Sequence, residues 1–501
     1  VSDLISSYIS GVFGIWREAC QTTACIFGII KKCIDCMVTV YFIILSEVNN
    51  MEHIFDYNVT VKKFAHFVWP SILMMVMIGL YYNMDSIFVA NLVGEQALAA
   101  LSMAYPVQGI MWGFAVMLAA GSSAIVAIKM GEGDQQGANE KFTLICIVSI
   151  VSGVLFMALC LFFLNDIIDF LGATGTIKEY CRDFLSVLIW SFPAAFLGQL
   201  FEYFIRVDGR PVFTLVLYIS GGIVHLILDY ILMGPVGMGI EGAAYATLAG
   251  SIVIVLVGGG YFVIAETKLK FVKLKNDWRF IGHCFVNGSS EMVTEASAGI
   301  TTFFLNSVLL KISGDVGVAG MSIVFNIHYL LISVHLGYIM GVAPLISYFY
   351  GAKDYAKVNV FIKYSKVFIV VTSIVSAVCC LVFGKYIVMI FERPGSELFD
   401  IALAGTRYLS IALLLCGFNI FASGFFTAYG NGPVSALISM SRALIMTIIG
   451  VELLGNLFGM TGIYLTLTFA EVTTLLLTFI MFRKYRDVYH YRFFPGSGDD
   501  I

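Results

Sequence analysis

The stretch FAHFVWPSILMMVMIGLYYNMDSIFVANL, residues 64–92, decides the fold class. It is apolar for longer than the roughly 20 residues a helix needs to cross about 30 Å of hydrocarbon. It also lacks the strict alternation that marks a barrel strand. One carboxylate, Asp85, stands where helical periodicity asks for Leu or Val. An ionisable group inside a span is costly and marks a pathway or coupling site by default, so the same stretch poses the functional question.

The rest of the chain agrees with a helical membrane protein. Of 501 residues, 59% are hydrophobic and 12% charged, against roughly 25% charged in an ordinary soluble domain. Forty-eight glycines suit helices that pack closely in lipid, where backbone approach replaces the hydrophobic drive. Apolar segments are expected near residues 64–90, 98–128, 142–164, 180–205, 213–233 and 240–264, then 282–310, 318–348, 358–390, 400–427, 434–456 and 462–482. That makes twelve transmembrane helices. Residues 265–281 form a basic linker between the halves, residues 1–60 an N-terminal extension and start, and residues 483–501 a tail.

Loop charge sets the expected orientation. About seventeen Lys and Arg fall on the side carrying Lys62, Lys63, the linker and the tail, against about five on the other. Both ends of the twelve-helix body are therefore expected in the cytoplasm, with the body in the plasma (inner) membrane. The segment 24–45 carries Lys31, Lys32 and Asp35 at its centre and reads as an interfacial helix, an extra span or an upstream extension, with Met51 favoured as the native start. Asn58 opens a glycosylation triplet on the predicted cytoplasmic side, where the match is incidental. Eleven cysteines lie mostly in apolar segments and read as packed thiols. Cys20, Cys25, Cys33 and Cys36 are too irregularly spaced for a convincing zinc site.

The chain repeats itself. A shift of 220 residues aligns GEQALAALSMAYP (94–106) with GDVGVAGMSIVFN (314–326), bringing Gly121 to Gly341, Gly131 to Gly351 and Asp134 to Asp354. A shift of 222 aligns RPVFTL (210–215) with GPVSAL (432–437). Two six-helix halves of equal orientation should be related by an axis along the membrane normal and can rock about a central cavity. Some polar chemistry is not duplicated: Asp85 maps onto Leu305, His225 onto Thr447 and Asp229 onto Val451.

Helical rise places Asp85, Asp229 and Thr247 at similar depth near one end of their spans. His225 and Asp229, four apart, share a face. Two carboxylates, an imidazole and a hydroxyl can hold a small cation or share protons; the plainer reading has each reaching separately for headgroups and water. In the second half Glu291 and Glu295 share a face and are open to a cationic substrate, while Arg442 and Glu471 reach similar depth and read as a structural ion pair. Glu202 and Arg206 read as a helix-end pair. Tyr81 precedes Asp85 by one turn and reads as a cavity residue. No phosphate-binding loop or nucleophile–base constellation is found, so neither an enzyme nor a cofactor is expected. No nucleic-acid partner is expected either.

Taken in order, MDSIFVANLVGEQALAALSMAYP (84–106), MGEGDQQGANEKF (130–142), RVDGRP (206–211), LDYILMGPVGMGIEGAAYAT (228–247) and APLISYFYGAKD (343–354) resemble the multidrug and toxic compound extrusion (MATE) family. The resemblance covers about residues 60–485. It implies two six-helix lobes forming a V around a central cavity. By likeness to the DinF-like branch it places the cation or proton site on Asp85, His225, Asp229 and Thr247, a bend on Pro70 and a cavity tyrosine on Tyr81. That branch has asparagine where this chain has His225; imidazole offers no amide oxygen, so proton exchange with Asp229 stands beside Na+ held by Asp85, Asp229 and Thr247. The expected function is antiport of H+ or Na+ against amphipathic, often cationic drugs or toxic metabolites by a monomer. A lipid-linked saccharide flippase of the same superfamily is the alternative, and a channel or receptor leaves the one-sided carboxylates unexplained.

Overall fold

The computed structural model describes residues 60–493 except 82 and 83. Cys20, Cys25, Cys33, Cys36, Met51 and Asn58 lie outside the described residues. Among the described residues the fold is entirely helical. The first span comprises α1 (Val61–Tyr81) and α2 (Met84–Leu92), followed by α3 (Glu95–Gly131) and α4 (Gln135–Phe162). The short α5 (Leu164–Phe170) precedes α6 (Gly175–Leu188) and α7 (Phe192–Val207), then α8 (Pro211–Met233) and α9 (Ile240–Ile264). The second half has α10 (Trp278–Gly351), α11 (Tyr355–Val388), α12 (Glu397–Ala428), α13 (Gly432–Met440), α14 (Met446–Phe458) and α15 (Met460–Tyr489).

Eleven helical runs are long and apolar enough to cross a membrane. The 74-residue α10 is two crossings, because Gly314 adopts φ 61° and ψ −156° and turns the chain between residues 278–313 and 315–351. That conformation is open to glycine and strained for other residues. The fourth span is not the single helix expected over 180–205: a short 3₁₀ turn, Ile189–Ser191, divides α6 from α7 just before Pro193. Proline removes an N–H and suits the first turn of a new helix. Helix α10 begins before the expected 282 because the Asp277 side chain accepts a hydrogen bond from Phe280 N at 3.0 Å.

Each crossing runs from a linker end, where residues 131–135, 207–211 and 264–278 turn, to a far end. Two apolar cores form. One joins Val89, residues of α3–α9 and Phe280 and Cys284 at the start of α10, the other residues from Leu305 of α10 through α15. Phe64, Phe67 and Val68 of α1 belong to the second core, although Asp85 of the same span faces the first. The duplication is visible in three dimensions. A Cβ on Gly131 would collide with the Tyr348 carbonyl oxygen, and one on Gly351 with the Ile128 carbonyl oxygen. Because 128 and 348, and 131 and 351, are equivalent in the repeat, the contact is reciprocal, as a twofold relation requires. Asp134 and Asp354 likewise cap the equivalent helices α4 and α11 from their side chains.

The linker is strapped to the first half. Asp208 Oδ1 accepts from Lys268 N at 2.7 Å and Leu269 N at 3.0 Å, and Tyr261 OH donates to its Oδ2 at 2.5 Å. Burial pushes the Asp208 carboxyl up to about 6, while these hydrogen bonds and Arg210 pull it down. Farther along, Lys270 N donates to Asn139 Oδ1 and Val272 N to Thr143 Oγ1. Asp208→Ala is expected to free both amides that Asp208 holds, so trypsin should cut at Lys268 or Lys270 about tenfold faster than in the parent, a change of about 1.4 kcal/mol in local opening. Unchanged fragment kinetics on a gel would show that Asn139 and Thr143 suffice.

Candidate functional site

Helices α8 and α9 touch at Gly221 and Gly250. A Cβ on Gly250 would stand 3.1 Å from the Gly221 carbonyl oxygen and 3.2 Å from His225 Cβ. This close approach sets His225 Nε2 3.2 Å from Thr247 Oγ1, while Thr247 donates to the Ala243 carbonyl at 3.0 Å. One turn on, Asp229 Oδ2 lies 3.3 Å from the same imidazole nitrogen. Helix α2, whose Phe88 meets Tyr230 edge-on at 6.5 Å, brings Asp85 Oδ1 to 3.8 Å from Nε2. Next to it, Ser86 Oγ and Tyr105 OH share a hydrogen bond of 2.9 Å.

All four predicted residues therefore meet. One ligand atom from each of Asp85, His225 and Asp229 lies within 4.8 Å of the others. Asp229 is fully buried and Asp85 is a quarter exposed. No backbone or hydroxyl donor reaches either oxygen of Asp229 or Asp85 Oδ1, which face His225 Nε2 and one another. Buried carboxylate oxygens without donors are rare, because leaving them so costs roughly 1–3 kcal/mol each, more if charged. The donor set is two carboxylates, one imidazole and one hydroxyl, so it can hold protons or offer oxygens to a small cation.

Pro70 lies within α1, where it removes one backbone donor. Around it α1 packs backbone to backbone on α10: a Cβ on Gly337 would strike Ser71 O and Ile72 Cα. Tyr81 ends α1 one turn before Asp85. Glu291 is elsewhere, in a small cavity between the halves lined also by Ala124, Tyr203, Pro344 and Thr427. Glu295, one turn on, is exposed beside Gly113 of α3.

Arg442 and Glu471 do meet, at 3.6 Å between NH1 and Oε1, both largely buried. The expected Glu202–Arg206 pair forms in the last turns of α7, 2.8 Å apart, and it is buried, with 1% and 0% of its side chains exposed. Gln199 Nε2 donates to Glu202 at 2.7 Å and Tyr218 OH donates to Gln199 at 3.1 Å. Tyr218 had no signal of its own in the sequence, although its spacing of seven from His225 places both on one face of α8. Among the described cysteines, Cys146, Cys160, Cys181, Cys284, Cys380 and Cys416 are buried free thiols.

Comparison with known proteins agrees with this architecture. The MatE family model matches residues 70–231 and 292–451, two stretches offset by the 222 and 220 residues that align the halves. The chain is 25% identical over 438 residues to the multidrug export protein MepA of Staphylococcus haemolyticus, covering 85% of this chain and 94% of that one. It is 22% identical over 437 residues to MepA of Staphylococcus aureus, covering 86% and 96%. A solved outward-facing multidrug resistance MATE family transporter superposes with a TM-score of 0.81 at 22% identity, covering 86% of this chain and 96% of that one. With both halves matched by one family model and the twelve crossings arranged as two related sets, this chain belongs to the MatE family of membrane proteins.

Proposed function

We propose that this protein is a secondary multidrug exporter that exchanges protons for amphipathic, often cationic compounds. The carrying observation is the meeting of Asp85, His225 and Asp229, whose carboxylate oxygens face one another and the imidazole and no backbone or hydroxyl donor. The site can change its charge by gaining or losing a proton without a cationic side chain entering it. His225 Nε2 occupies the space between the carboxylates, and an imidazole suits proton exchange better than an alkali cation, which prefers oxygen ligands. The names of the MepA relatives and the outward-facing MATE structure support the export reading.

Asp85 is the open member of the site and Asp229 the closed one. A proton arriving from the far end meets Asp85 first. Once shared between the carboxylates, it removes their repulsion and lets α2 settle toward α8. Helix α1 carries that movement across Pro70 to Phe64, Phe67 and Val68 in the other half's core. A span anchored in both halves can couple the site to their alternation. Glu291 and Glu295 supply the negative charge for cargo. The excess of Lys and Arg in the linker and tail supports a plasma-membrane protein with both ends of the body in the cytoplasm, and a cavity lined by both halves supports a monomer as the working unit.

The test is ethidium movement in proteoliposomes of the full chain. An imposed pH gradient should drive it, and a Na+ gradient at constant pH should not; sodium-driven movement alone would overturn proton exchange. His225→Asn restores an amide oxygen between the carboxylates. It should cut pH-driven export by about tenfold or more, since a positioned acid–base group contributes roughly 10²–10⁴ in rate. A His225→Asn protein with the parent's pH-driven rate would remove His225 from the site.

A further inference from the structure

The two halves are strapped alike at the linker end. In the first half Lys270 N donates to Asn139 Oδ1 at 3.0 Å, and in the second Arg492 N donates to Asn359 Oδ1 at 2.7 Å. Residues 139 and 359 correspond at the shift of 220, and 270 and 492 at the shift of 222. The match extends to the neighbours, KLKF (268–271) against HYRF (490–493). Leu269 and Tyr491 are both buried. The Phe271 ring packs on Phe142 at 5.1 Å, and the Phe493 ring on Phe482 at 4.1 Å. The segment after α15, entered through the left-handed His490 (φ 53°), is therefore a second copy of the linker strap.

The two copies are fastened differently. In the first half the buried Asp208 holds the amides of Lys268 and Leu269. Its equivalent is Gly430, which has no side chain to receive the matching amides of His490 and Tyr491. The second strap is held instead by Lys366 Nζ, half-buried, which donates to the Phe493 carbonyl at 3.0 Å, and by Tyr491 OH, which donates to the Phe482 carbonyl at 2.8 Å. It also joins a ring cluster. Tyr489 lies 4.8 Å from Tyr429 and 5.8 Å from Tyr350, those two are 4.5 Å apart, and Tyr491 lies 6.2 Å from Tyr429. In the first half the equivalents of Tyr489, Tyr429, Tyr350 and Tyr491 are Thr267, Val207, Met130 and Leu269, which have no rings to stack. Tyr350 precedes Gly351, whose approach to the Ile128 carbonyl joins the halves.

We propose that residues 489–493 are a gate strap. Seated, they hold Tyr350 and with it the Gly351 contact, so the linker end stays closed; released, they let that end open, while the linker strap stays fastened. This rests on the reading that the two halves alternate. Amides held by a buried carboxylate are bonded about twice as strongly as amides held by neutral acceptors, and elements that move in a working cycle are drawn from the weakly held ones. The strap that lacks the carboxylate is also the one that touches the contact between the halves.

The first measurement needs no transport. In hydrogen exchange of the purified full chain, read by mass spectrometry, the amides of residues 490–493 should exchange at least about tenfold faster than those of 268–271, because local opening sets the rate. Equal rates would overturn release. The second measurement locks each strap with a disulfide, its formation checked by loss of two free thiols. Oxidised Asn359→Cys with Arg492→Cys should export ethidium under a pH gradient at least about tenfold more slowly, with recovery in dithiothreitol, as blocking a gating step predicts. The matching lock, Asn139→Cys with Lys270→Cys, should leave the rate within about twofold of the reduced protein, since that strap does not gate. Export untouched by the second-half lock, or lost equally with both, would overturn the gate, and a second-half pair that does not oxidise would overturn the seating on Asn359. A parent that moves no ethidium would overturn the exchange of protons for cargo instead. The gate is then decided by exchange at residues 348–351, which the second-half lock alone should slow at least about threefold; no slowing overturns it.

Discussion

Asp85→Asn protein is expected to insert, to melt within about 3 °C of the parent and to move no ethidium above the level of protein-free vesicles under a pH gradient. The substitution is isosteric, and Asp85 Oδ1 accepts from no backbone or hydroxyl donor, while an amide in its place can still donate to Asp229, so a stability change below about 1 kcal/mol follows. Its effect on exchange is large because the amide cannot take up a proton at any working pH, leaving Asp229 as the only titrating carboxylate of the pair. Asp229→Asn should do the same. Thr247→Ala should cost far less, because Thr247 already spends its proton on the Ala243 carbonyl. Export by Asp85→Asn at the parent's rate, with the protein shown folded by its melting curve, would end the assignment.

The second large effect concerns the linker end, where the two halves meet. Gly131→Ala should destabilise the protein by about 1–3 kcal/mol, the usual cost of forcing atoms into a filled contact. The new methyl would lie inside the van der Waals radius of the Tyr348 carbonyl oxygen, a backbone atom that no rotamer change can move aside. The halves must then part at this end. Cys284 is buried there, beside Gly121, so its maleimide labelling should rise at least about fivefold, and that increase should be lost when Cys284→Ser is added. Gly351→Ala should reproduce both changes through Ile128, since the twofold contact is reciprocal. Parent labelling and melting in both variants would show that the halves do not depend on this contact.

These effects differ in how far they could be read in advance. The mean spacing and length of apolar runs fixed the number of crossings, since lipid leaves helices few alternatives. The Gly131–Gly351 equivalence was visible in the repeat, but nothing in one dimension says that each faces the other's helix. Asp85, Asp229 and Thr247 stood out singly by depth, and His225 with Asp229 by period. Their convergence to within 4.8 Å for the three titratable members needed the Gly221–Gly250 approach and the packing of α2 on α8 through Phe88 and Tyr230. The spacing of Glu202 and Arg206 was equally plain and gave their pairing at a helix end, but not its burial. Burial is a property of neighbours such as Met74, 4.0 Å from Arg206 NH1 and far off in sequence.

By itself, then, the chain's sequence determined a duplicated twelve-crossing membrane body with unduplicated acid groups in its first half. Hydrophobic length and helical period act locally, and a repeat is a comparison of letters. Only the tertiary structure decided which charges are paired, which carboxylate oxygens are left without donors, and that the first span joins one half's core to the other half's site. Those outcomes depend on helix packing across distances of a hundred residues or more, where the positions of small residues, rather than any local propensity, set how closely backbones approach.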